Sequence, residues 1–131
     1  MASSKVFLAF ASLSGMFAVL AGAFMAHGLP YGMEVRALEL LDIAVDYQFY
    51  HSFALLAVGL MYETHGVPNK ILDLAGFSLS FGIILFCGSL YVQSLTHIGL
   101  PSLLTPLGGL LLILGWAFIF LASFLQQKLD V

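Results

Sequence analysis

Three stretches of this chain run for about the thickness of a membrane without a single charge. They are Val6–Ala26, Leu74–Leu95 and Leu107–Leu125. About 20 helical residues at ~1.5 Å each cover a ~30 Å hydrocarbon layer, so each stretch is long enough to cross a bilayer. Water cannot solvate such surfaces, and the rest of the sequence offers little to cover them. Charged residues make up 8% of the 131 residues and hydrophobic ones 61%. A soluble domain carries roughly 25% charge. The predicted fold class is therefore all-α: a single-domain integral membrane four-helix up-down bundle, with an extramembrane amphipathic segment leading into the second helix.

The expected spans are Val6–Ala26, Val45–Tyr62, Leu74–Leu95 and Pro106–Leu125, with residues 33–46 as the amphipathic segment. Val6–Ala26 could also be a cleaved leader, with Lys5 before it and Ala21-Gly22-Ala23 as the cleavage site. It exceeds the usual ~7–15 residue apolar core of a leader, and Ala11, Gly15, Ala18, Gly22 and Ala26 form a small-residue stripe. Retention is the expectation. Gly28-Leu29-Pro30-Tyr31-Gly32 reads as a turn. From Met33 to Tyr62 a single helix of roughly 45 Å is expected, with Glu39, Asp42 and Asp46 on one face and Leu38, Leu41 and Val45 on another. Asn69 suits an N-cap, and Thr105-Pro106 reads as cap and first helical residue of the last span. Gly15, Gly22, Gly88, Gly108 and Gly115 are expected at helix contacts, and Trp116 packed between helices.

Lys5, Lys70 and Lys128 fall on one side of this topology and only Arg36 on the other, so both termini are expected in the cytoplasm of an inner-membrane protein. Four scattered basic residues make no patch for nucleic acid. The bilayer is the expected partner, together with a second copy or another membrane protein. The lone Cys87 excludes an internal disulfide, and no cofactor is assigned.

The scarce polar groups cluster by position. His27 ends span one, Asp46, Tyr47, Gln48 and His51 open span two, Ser89, Tyr91 and His97 close span three, and Thr105 opens span four. All would lie in the outer leaflet, where Gln93 joins them. Polar groups in lipid are costly unless they find partners inside the bundle. A site would be a proton relay, a metal held by imidazoles and a carboxylate, or a polar pocket. The weightier reading is that these side chains hydrogen-bond to one another, to loops and to water at the interface. No recognised metal-ligand spacing is present, so the metal stays unassigned.

Gly22-Ala23-Phe24-Met25-Ala26-His27-Gly28, Tyr47-Gln48-Phe49-Tyr50-His51, Phe86-Cys87-Gly88-Ser89-Leu90-Tyr91, Thr105-Pro106-Leu107-Gly108-Gly109 and Leu114-Gly115-Trp116 occur in this order. Together they resemble the family labelled domain of unknown function 423, small inner-membrane proteins with eukaryotic transmembrane protein 256 as distant kin. Members usually have Gly at the place of Met25 and often Ser at that of Cys87. The resemblance implies four spans with the first retained, and it implies no activity. His27, Gln48, His51, Ser89, Tyr91 and Thr105 coincide with its motif positions. Three functions compete: a non-enzymatic bundle that binds a protein or lipid, a proton-coupled or small-molecule transporter working as an oligomer, and a metal- or quinone-binding protein. They are ranked in that order, because no catalytic motif is present.

Overall fold

The computed structural model describes residues 2–65, 70–96 and 98–126. Its order is α1 (Ala2–His27), α2 (Val35–His65), α3 (Lys70–Gly82), a π-helical turn (Ile83–Cys87), α4 (Gly88–Leu95) and α5 (Leu104–Gln126). No strand occurs among the described residues. The elements α3, π turn and α4 follow without a break and form one rod from Lys70 to Leu95.

Three helices are long and apolar enough to cross a membrane: Ser4–His27, Lys70–Leu95 and Leu104–Leu125. The expected second span, Val45–Tyr62, does not join them on apolarity. Asp46, Gln48, His51 and Ser52 lower its hydropathy, yet Gln48, His51 and Ser52 are buried against neighbouring helices. Composition counts these groups as if they faced outward. The helix turns three of the four inward.

In the upstream part of α2, Leu41 and Ala44 are buried and Glu39, Asp42 and Asp46 are exposed. Before it the chain reverses at Gly32, whose φ of +87° is a left-handed conformation that glycine adopts without strain.

Small residues set the helix contacts. The stripe on α1 faces α2: a Cβ on Gly15 would lie 3.9 Å from Ser52 Cβ, and one on Gly22 3.7 Å from Val45. With Ser4 donating to Glu63 at 2.6 Å, these pairs show α1 and α2 running in opposite directions. The seam on α5 is closer. A Cβ on Gly82 would lie 2.6 Å from Leu112, one on Gly115 2.6 Å from Leu79, and one on Gly108 would overlap the Phe86 backbone. Apolar side chains gain little hydrophobic driving force inside lipid, so close backbone approach supplies the van der Waals contact instead. Gly88 departs from this pattern, because no atom lies within 4 Å of a Cβ built there. It is an opening, not a packing glycine.

The core runs from the meeting of α1, α2 and α3 to α5, which adds Leu112 and Ala122. Phe7 stacks edge-on against Phe77 at 5.3 Å, tilts against Tyr62 at 6.2 Å and covers Gly76. Leu55, Val58, Leu72 and Leu79 fill the interior beside it.

Candidate functional site

Gln48 is the centre of the buried polar chemistry. It projects from α2 and is 6% exposed. Its Nε2 donates to the Ser14 carbonyl at 3.1 Å and approaches the Ser14 hydroxyl at 3.3 Å, while its Oε1 accepts from the Tyr91 hydroxyl at 2.7 Å. Ser14 and Ser52 hydroxyls lie 2.8 Å apart, and Ser52 also donates to the Gln48 carbonyl at 2.7 Å. A serine has one proton to give. Ser52 is the donor in both contacts, so its one proton is shared between the Ser14 hydroxyl and the Gln48 carbonyl. The knot ties α1, α2 and α4 together through these four side chains. Ser14 stands twelve residues from the start of α1 and thirteen from its end, so the knot sits halfway along that helix.

A second group joins α4 to α5. Ser89 donates to the Phe86 carbonyl at 2.9 Å, Thr105 lies 2.7 Å from Ser89, and Gln93 donates to Thr105 at 3.1 Å. Thr105 is not the expected N-cap. Helix α5 begins one residue earlier, at Leu104, and Pro106 falls within a first turn whose N–H groups lack helical partners anyway. Burial near Ser89 has recruited the hydroxyl for a contact between helices.

His51 is 7% exposed. Its Nδ1 donates to the Tyr47 carbonyl at 2.6 Å, which leaves Nε2 as the acceptor nitrogen with no hydrogen-bond partner among the described residues. The ring lies 5.7 Å from that of Tyr47 and 6.2 Å from Trp116. Tyr47 continues the row to Phe86 at 5.0 Å. Trp116 leaves 49% of its surface outward, so it is only half packed between helices.

The remaining candidates do not converge. His27 is exposed at the last turn of α1. Asp46 is exposed and accepts from Tyr50 at 3.4 Å. His97 lies outside the described residues. Among the described residues, no group of three His, Cys, Asp or Glu side chains is arranged to hold a metal. Ser14 and Ser52 escaped the sequence reading. Ser14 sits on the same face as Ala11 and Ala18, and a hydroxyl within a small-residue stripe was the available signal.

Helices with apolar outsides and a polar knot within define a small membrane protein. The chain belongs to the family described as protein of unknown function (DUF423), which matches residues 21–109. It is 39% identical to a UPF0382 membrane protein of Staphylococcus saprophyticus, over 92% of this chain and 98% of that protein. A UPF0382 membrane protein of Haemophilus influenzae is 38% identical over 94% and 97%. The UPF0382 membrane protein YwdK of Bacillus subtilis is 35% identical over 91% and 96%. No solved structure matches the chain.

Proposed function

We propose that this is a non-enzymatic four-helix up-down bundle of the bacterial inner membrane, with both termini cytoplasmic, that works by binding a lipid or a membrane protein through its apolar exterior. The observation that carries this reading is the knot of Ser14, Gln48, Ser52 and Tyr91, whose polar groups meet one another between the helices. These groups are turned toward one another and so hold three helices in register.

The exterior supports the same reading, because large apolar side chains such as Phe17, Phe53, Ile113 and Phe120 are more than half exposed. Crosslinking in living cells with a photoreactive residue at Phe53 or Ile113 tests it. The expected result is a discrete adduct with one membrane protein or lipid class. Detergent extraction of free monomer only, with no adduct at either position, contradicts it.

A further inference from the structure

Helices α1 and α3 touch at Phe7, but α1 makes no backbone approach to the π turn or to α4 among the described residues. A groove of about 450 Å³ opens between them. Leu13 and Phe17 line it from α1, Ile84, Gly88 and Tyr91 from the opposite rod, and Gln48 from α2. Within the lining Phe17 meets Tyr91 at 6.0 Å, and past Phe10 the two helices close on each other where Phe7 meets Phe77 at 5.3 Å. Ten residues of α1 separate the two contacts, or about 15 Å at the helical rise.

We infer that this groove holds one acyl tail of a bilayer phospholipid. The inference deepens the lipid arm of the proposed function and rests on the chain being embedded in a membrane. A partner helix is ~10 Å wide and must run the full ~30 Å depth, so it cannot seat in a slot that closes where Phe7 meets Phe77. A second copy of this chain is excluded in the same way. No Asp, Glu, Lys or Arg lines the groove, so its charge matches an uncharged hydrocarbon segment. The amide of Gln48 is already spent on Ser14 and Tyr91, so it offers little to a headgroup. The volume lies within the ~300–1,000 Å³ range of ligand sites. The open space beside Gly88 is what a side chain would fill.

The test is native mass spectrometry of the full chain released from mixed phosphatidylethanolamine and phosphatidylglycerol nanodiscs. Wild type is expected to retain one phospholipid. Gly88→Leu and Leu13→Trp, which fill the groove from opposite walls, are expected to reduce that adduct by roughly tenfold each, the effect of losing ~1.4 kcal/mol. Ser123→Leu, on the exposed face of α5, is expected to keep it. Circular dichroism identifies a filling variant that has not folded, and the other then decides. Three results overturn the inference: wild type carrying no lipid, a folded filling variant that keeps the adduct, or a dimer in its place. Failure here leaves the cellular crosslinking result standing, and retained lipid with no cellular adduct would sink only the broader reading.

Discussion

Gln48 shows how one polar side chain can stabilise a bundle in lipid. Replacing it with leucine removes the partner of Tyr91 and leaves Ser14 with fewer contacts. A buried polar group left unpaired costs about 1–3 kcal/mol. Gln48→Leu is therefore expected to lower the melting temperature in detergent, and adding Tyr91→Phe should recover part of the loss by removing the orphaned hydroxyl. A double mutant that melts below the single one contradicts this account of the knot. His51 poses a smaller demand, because its described hydrogen bond is the one to the Tyr47 carbonyl. His51→Phe keeps a ring beside the single tryptophan and should cost only about 1 kcal/mol. The emission of Trp116 is expected to stay near its wild-type maximum. A strong red shift would mean that the histidine seals that crevice.

At the level of whole helices, glycines divide by what faces them. Gly108→Leu should break the contact between α5 and the π turn, because its first carbon already falls on the Phe86 backbone. Loss of the folded monomer peak on size exclusion is the expected readout. Gly88→Ala meets open space and should stabilise by roughly 0.5–1 kcal/mol, since glycine weakens a helix interior. Thermal melts of the two variants should move in opposite directions.

Residue spacing alone made the Gly108 and Gly115 seam legible, because small residues seven positions apart share a helix face. It misjudged Gly88, which occupies a similar context. The π turn at Ile83–Cys87 explains why: an extra residue in the turn re-phases the helix beyond it, so a face counted at 3.6 residues per turn no longer points where the count says. Nothing in Ile-Ile-Leu-Phe-Cys marks that turn in advance. The polar cluster was legible in part. Gln48, His51, Ser89, Tyr91 and Thr105 do take part in buried contacts, while His27 and Asp46 stay exposed, because position along a helix does not fix the direction a side chain faces.

For the molecule as a whole, the decisive element is α2. By apolarity it stands apart from the three evident membrane helices, and it is the helix that packs against both α1 and the Lys70–Leu95 rod. A segment lying flat on the surface would strand Gln48 and Ser52 away from Ser14. A crossing segment keeps them sealed within the bundle.

The measurement that bears most directly on this is paired cysteine accessibility in intact cells, on a Cys87→Ser background. Tyr31→Cys precedes α2, and Thr64→Cys lies at its far end. A membrane-impermeant maleimide is expected to label position 31 from outside and position 64 only after permeabilisation. Labelling of both positions from the same side would show that α2 does not cross.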